Sequence, residues 1–406
     1  MMDNSKRAFF ELVKAGLWDG INDDFNLDLN EKVDWEKVYQ LAQEQTVQGL
    51  VLAGIERFNK YNHNVNANDG STYSPQVKLN ILQVLLLQWI GEVQMIEQRN
   101  KEMNVFISEL IEKLRKEDIY TILVKGQGVA QCYEKPLWRS CGDVDLFLSY
   151  DNYQKAKSFL MPLASSVEEE YVREKHLGMT IDGCVVELHG HLFSGLSSRV
   201  DGELDSLRKD TFYKGEVRSW MNGQTTIFLL KAENDAFYVF THILQHFYKE
   251  GVGLRQICDW CRLLWTYKDS LNYELLEQRI KRAGLMSEWK AFYNLASRYL
   301  GMPVLDSQDS QTRMSDHRSS ASFMVHDSRF DKKADRIMEF VLKSGNMGHN
   351  RDMSHFYKKP YLVRKCISTG RRVSDLINHA RTFPLDSLRF FPRIIFNGLK
   401  SAMRGE

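Results

Sequence analysis

Apolar residues recur at spacings of three and four over residues 33–58 and again over 77–114, the period of helices that bury one stripe. Between them, residues 60–75 are rich in Asn, Ser, Gly and Asp and read as a loop. At Ile119 the period changes. Residues 119–124 form a short β-prone run that stops at Lys125-Gly126, residues 128–133 turn helical, and Pro136 ends that helix. Residues 143–148 alternate, with Asp143 and Asp145 on one face and Val144, Leu146 and Leu148 on the other, as a half-buried strand requires. Asp151 is placed to cap the next helix. Two hairpins follow, one turning at Asp182-Gly183 and one at Asn222-Gly223, dipeptides that suit the type I′ turn. From Lys231 the period is helical again, with helices predicted to run on to Tyr248 and over 254–267, 273–283 and 288–300. Residues 305–322 carry Ser, Asp, Gln and Arg with almost no large apolar side chain, the composition of a linker.

These elements predict an α+β fold built on a small mixed β-sheet core over 118–230. Around it stand a helical N-terminal region (1–117), a helical domain (231–304), a flexible linker (305–323) and a basic helical C-terminal region (324–406). Seven prolines in 406 residues suit long helices, and 43% apolar with 26% charged residues suits a chain that buries a sizeable core. The formal charge of +1 excludes a global field that would hold a polyanion. Residues 351–406 depart from that balance, with 12 Lys or Arg against 4 Asp or Glu. Their plainest reading is a packed helical tail with a solvated cationic face; the alternative is weak contact with nucleic acid or an anionic surface. No apolar run reaches the ~18 residues of a transmembrane segment, and the N-terminus lacks a signal-peptide pattern. With six cysteines in no framework spacing, the expected location is cytoplasmic. Cys258 and Cys261 read as core-facing helical positions rather than half of a zinc site.

One constellation carries chemistry. Asp143 and Asp145, at i and i+2 on a strand, point the same way and repel each other unless solvated, protonated or sharing a cation. Mg²⁺ (or Mn²⁺) is the natural partner, because it takes few carboxylates and completes its shell with water and phosphate oxygens. In the strand after Asp182-Gly183, Glu187 shares a face with Val185 and His189, and a two-residue turn sets it opposite Gly178, where a glycine leaves room above the carboxylate. The turn Lys125-Gly126-Gln127-Gly128 leads from strand into helix, a place for an anion. Lys125 reads equally well as a cap on the sheet edge, and Arg139 as a structural partner of Asp143 or Asp145. His189 is a possible accessory group beside Glu187. His242 and His246, one helical turn apart, could join Asp259 at a metal but read better as helix packing, and Arg255 and Asp259 are spaced for a helical ion pair. No Walker or Gly-x-Ser-x-Gly sequence is present.

This order of strand, Lys-Gly turn, helix, Arg139 and a Gly142-Asp143-Val144-Asp145 strand resembles the polymerase-β-like nucleotidyltransferase superfamily. The likeness is to its poorly characterised bacterial branch. The resemblance implies two Mg²⁺ ions held by Asp143, Asp145 and Glu187. It also implies nucleotide contacts at Lys125, Gly126, Gln127, Arg139 and Gly142, and transfer of a nucleoside monophosphate from a nucleoside triphosphate to an unknown acceptor hydroxyl, with loss of pyrophosphate. Where the superfamily carries Gly-Ser or Gly-Gly, this chain has Gly126-Gln127. That departure keeps a second reading open: a catalytically silent nucleotide-binding or scaffold protein that engages a partner through its helical half and basic tail.

Overall fold

The computed structural model describes residues 3–18, 32–68, 79–172, 174–305, 322–346 and 361–404. Helix α1 (Asn4–Leu17) opens with Asp3 accepting a hydrogen bond from the Lys6 amide, and α2 (Trp35–Glu44) opens in the same way on Asp34. Helix α3 (Gln48–Asn68) runs on past Lys60, so the first part of the segment read as a loop is helix. The apolar period of the sequence ends near Phe58, but the polar-rich stretch that follows still propagates the backbone helix. The rest of that segment, 69–75, lies outside the described residues, as do 306–321 of the expected linker and 351–360 of the basic tail. Helix α4 (Gln83–Lys116) leads to β1 (Ile122–Val124), α5 (Gly126–Ala130) and β2 (Asp143–Phe147). Helix α6 (Tyr150–Leu160) is capped by Ser149, not Asp151, which sits in the first turn instead. There its charge still favours the positive helix end.

Strands β3 (Ser166–Val167), β4 (His176–Ile181) and β5 (Cys184–His189) precede helix α7 (Ser198–Tyr213), then β6 (Val217–Asn222) and β7 (Thr225–Leu230). The seven strands form one mixed sheet in the order β3-β4-β5-β2-β1-β7-β6. β2 runs antiparallel to β1 and parallel to β5, whereas β1 runs parallel to β7. The first hairpin closes as expected, with Ile181 opposite Cys184 and positive φ at both Asp182 and Gly183. The second is shifted by one residue. Asn222 pairs with Thr225, so the turn residues are Gly223 and Gln224, and only Gly223 has positive φ. A glycine in the first central position is the type II′ arrangement.

The remaining helices are α8 (Ala232–Lys249), α9 (Leu254–Thr266), α10 (Tyr273–Ala283), α11 (Met286–Leu300), α12 (Asp331–Ser344), α13 (Tyr361–Thr382) and α14 (Pro384–Arg404). One sheet face, carrying Leu123, Val144, Leu146 and Leu188, packs with α4 residues such as Ile107 and Leu110 and with Tyr153, Ala156 and Leu160 of α6. The other face, through Ile122, Val124, Phe147 and Leu230, joins a larger core shared by α1–α3, α7–α12 and the buried positions Leu376, Phe383 and Phe390. Cys258 and Cys261 are buried in that core with free thiols. Among the described residues no helix is long and apolar enough to cross a membrane. The strand alternation therefore turns Asp143, Asp145 and Glu187 toward the helical half of the molecule.

Candidate active site

The site begins with backbone geometry. Lys125, between β1 and α5, has φ +56° and ψ −145°, a conformation that costs a non-glycine residue about 1–3 kcal/mol. Gly126 follows with φ +41°, and a Cβ there would lie 3.3 Å from the Asp143 carbonyl oxygen. This sharp exit from β1 delivers the Lys125 side chain to β2, where its Nζ lies 2.8 Å from Asp145 Oδ1. Parallel pairing of β2 with β5 sets Asp145 beside Glu187. Oxygens of Asp143, Asp145 and Glu187 all lie within 4.8 Å of one another.

Three carboxylates this close need compensation. Asp145 is almost wholly buried; besides Lys125 it has His189, whose Nε2 lies 2.7 Å from Oδ1. Glu187 has His176 Nε2 at 3.2 Å and His189 Nε2 at 3.4 Å. The Asp143 carboxyl is pushed up from its ordinary value, first by the charge of Asp145 and then by burial. Burial acts to raise Glu187 as well, but hydrogen bonds from His176 and His189 and the Lys125 charge outweigh it and hold the carboxyl well below the usual range. For His189, burial opposes protonation, yet Asp145 and Glu187 prevail and its value is raised. His242 goes the other way: burial, then the charges of Lys125 and His246, hold it well below an ordinary histidine. It therefore stays neutral and accepts from Lys125 Nζ at 3.4 Å.

The donor set fits a hard divalent ion. Asp143, Asp145 and Glu187 offer only oxygen, and the raised Asp143 marks negative charge that Lys125 and His189 leave partly unbalanced. A second cluster, His176, Glu187 and His189, also meets within 4.8 Å, but the raised His189 favours a proton there over a metal. A cavity of about 60 Å³ opens beside Asp143 and Asp145, walled by Gly126, Val129, His242 and Arg255.

A family model described as an uncharacterised nucleotidyltransferase matches residues 31–301. The chain belongs to that nucleotidyltransferase family. No curated protein and no solved structure matches it. Family membership points to a nucleotide substrate, and the acidic cluster supplies groups that could bind a metal.

Several residues of this nucleotidyltransferase stand differently from their sequence reading. Arg139 pairs with neither Asp143 nor Asp145; its Nε and Nη2 donate to the two oxygens of Asp259 at 3.0 and 2.6 Å. Asp259 also accepts from the Tyr133 hydroxyl at 2.8 Å, so the expected Arg255–Asp259 helical pair gives way to this longer-range one. Arg255 instead donates to the Ser140 carbonyl at 2.5 Å. The Gln127 side chain is buried and donates to Asn100 Oδ1 at 2.9 Å, and Gln127 is not among the residues that wall the cavity. Gly142 is exposed, and a Cβ added to it would meet only open space. Gly178 does lie opposite Glu187, but the space above it is taken: a Cβ there would meet Glu168 Oε2 at 2.4 Å. Sequence reasoning passed over His176. The Asp182-Gly183 turn already implied it, since a two-residue loop sets His176 opposite His189.

Proposed function

We propose that this chain transfers a nucleoside monophosphate from a nucleoside triphosphate to an acceptor hydroxyl. In that reaction the acceptor oxygen bonds to the α-phosphorus as the bond from that phosphorus to the bridging α–β oxygen breaks. Pyrophosphate leaves with the bonding electron pair, and the hydroxyl proton passes to solvent. The observation that carries the reading is the meeting of Asp143, Asp145 and Glu187 within 4.8 Å, beside a glycine turn that leaves β1.

Asp143, Asp145 and Glu187 are the residues that would hold Mg²⁺ or Mn²⁺. When bound, such ions supply charge neutralisation for the attacking and leaving oxygens. The chain's own groups hold the rest in place. Lys125 and His189 hold the Asp145 carboxylate in position through contacts at 2.8 and 2.7 Å. Glu187, held low by its two histidines, is a carboxylate at neutral pH. The Gly126 turn lets backbone come close to phosphate, and Arg255 brings a guanidinium to the cavity wall.

Mn²⁺ titration followed by thermal unfolding, paired with pyrophosphate release from each of the four common triphosphates, tests this. Wild type is expected to bind Mn²⁺ and to release pyrophosphate when offered acceptors. Asp143→Ala/Asp145→Ala is expected to lose both, the turnover by ~10³-fold or more, as when groups that stabilise transition-state charge are removed. An identical Mn²⁺ response in the double variant would overturn the assignment. Stabilisation by triphosphate without turnover across a broad acceptor panel would favour a silent nucleotide-binding protein.

A further inference from the structure

The cavity beside Asp143 and Asp145, at about 60 Å³, is too small for a whole nucleoside triphosphate, since ligand pockets commonly span ~300–1,000 Å³. A second cavity of about 230 Å³ lies next to it, and the two share Arg139 and Arg255 as walls. Its floor is apolar, from Val47, Leu50 and Ala53 of the N-terminal helical region, and its far side carries Tyr133 and Trp138 from the connection between α5 and β2. Ala15 and Gly16, which also line it, precede the residues matched by the family.

The shared wall is asymmetric. Arg139 is neutralised by its two-point contact with Asp259. Arg255 has no carboxylate within ion-pair distance among the described residues, and its Nε is buried without a hydrogen-bond partner. A guanidinium with no carboxylate at ion-pair distance, standing between a carboxylate site and a cavity with an apolar floor and an aromatic side, is suited to an anionic group that joins a charged part to a flat apolar part.

We propose that the larger cavity receives the base and ribose of the triphosphate, with the phosphates passing Arg255 to reach Asp143 and Asp145. This rests on the nucleotidyl-transfer reading and adds to it where the nucleoside lies: between the N-terminal helices and the α5–β2 connection. Trp138, with the Lys135 ammonium 3.6 Å from its ring centroid on one face, and Tyr133 supply the aromatic rings on which any base can stack. Trp138 is held in place by its indole N–H donating to Glu97 at 2.8 Å.

Inorganic tripolyphosphate separates the two cavities, because it carries the charge without the nucleoside. Affinities of Mn²⁺-ATP and Mn²⁺-tripolyphosphate are measured by calorimetry for wild type, Ala53→Trp, Trp138→Ala and Arg255→Ala. Ala53 is partly exposed at the cavity floor, so a tryptophan there fills the cavity rather than the core. It is expected to weaken ATP by about tenfold or more while tripolyphosphate binds as before; Trp138→Ala is expected to weaken ATP alone by a factor of several, the loss of one stacking contact. Arg255→Ala is expected to weaken both ligands. Unchanged tripolyphosphate affinity also shows that each cavity variant is folded. If wild type binds ATP and neither Ala53→Trp nor Trp138→Ala alters that affinity, the nucleoside lies elsewhere and the cavity assignment is overturned. If wild type binds neither ligand with Mn²⁺, the transfer reading itself fails.

Discussion

Lys125 shows how one residue can be worth its strain. Its backbone sits where glycine would be at ease, at a cost of about 1–3 kcal/mol, yet the same conformation brings an ammonium to a nearly buried Asp145. Stripping a buried carboxylate of its cation typically costs about 3–5 kcal/mol, so the contact outweighs the strain. The ammonium carries the charge that a divalent ion would otherwise bring, and burial, though it opposes that charge, loses to Asp145, Tyr238, Asp143 and Glu187. Lys125→Met is therefore expected to lower stability by about 2–3 kcal/mol without metal, His189 still covering one side of Asp145. It is also expected to gain more from added Mn²⁺ than wild type does, because the ion then relieves a larger excess of negative charge. Urea unfolding with and without Mn²⁺ measures both effects. An equal Mn²⁺ gain in the two proteins would mean that Lys125 and the ion do not answer the same charge.

Among the elements, the β-hairpins set side by side what local sequence settles and what it does not. Asp182-Gly183 takes positive φ at both positions, so the turn alone fixed Glu187 opposite Gly178. Asn222-Gly223 looked equivalent, yet the hairpin slipped by one residue. There Gly223 satisfies the turn alone, and Asn222 stays in the strand, its Nδ2 donating to the Asn104 carbonyl of α4 at 2.7 Å. Gly223→Ala is expected to cost about 1–2 kcal/mol, since alanine is strained at positive φ. Asn222→Thr, which keeps strand geometry and gives up one hydrogen bond, is expected to cost less than about 1 kcal/mol. Denaturant midpoints for the two variants check the register; the reverse order would restore the type I′ turn. The same boundary runs through the active site. Asp143 and Asp145 were legible because strand period is local. The meeting of Glu187 with Asp145 needed β5 to run beside β2, and the Arg139–Asp259 pair joins residues 120 positions apart; neither is encoded in spacing. Glu168 above Gly178 and the Arg255 contact with the Ser140 carbonyl depend on packing between elements that no single stretch of chain specifies. Helix α7 was passed over although Val200, Leu204 and Leu207 keep helical spacing, because its remaining turns are dense with charge.

Across the whole molecule, the helical half that roofs the site is itself held by a buried acidic junction. Glu288 of α11 is fully buried and accepts from the Tyr248 hydroxyl of α8 at 3.2 Å. Tyr248 in turn packs against Phe390 of α14 with ring centroids 5.0 Å apart. Burial, followed by the nearby charge of Asp386, pushes the Glu288 carboxyl up to about 8. In an unfolded chain the same group titrates near 4.5. Between those values the folded state holds a proton that the unfolded state has released, so stability falls as pH rises through that window and levels off above about 8. At about 1.4 kcal/mol per unit, the ionised carboxylate costs the fold on the order of 3–5 kcal/mol. Glu288→Gln keeps an acceptor for Tyr248 without the charge. The variant is expected to lose most of the decline in stability between pH 5 and 8.5 and to exceed wild type at the alkaline end, where urea unfolding of the two proteins can be compared directly. Because α8 also carries His242, Val239 and Ile243 over Asp143 and Asp145, loosening this junction at high pH is expected to raise exchange of α8 amides before the sheet opens. Hydrogen exchange at pH 8.5 that protects α8 equally in wild type and Glu288→Gln would separate the junction from the site.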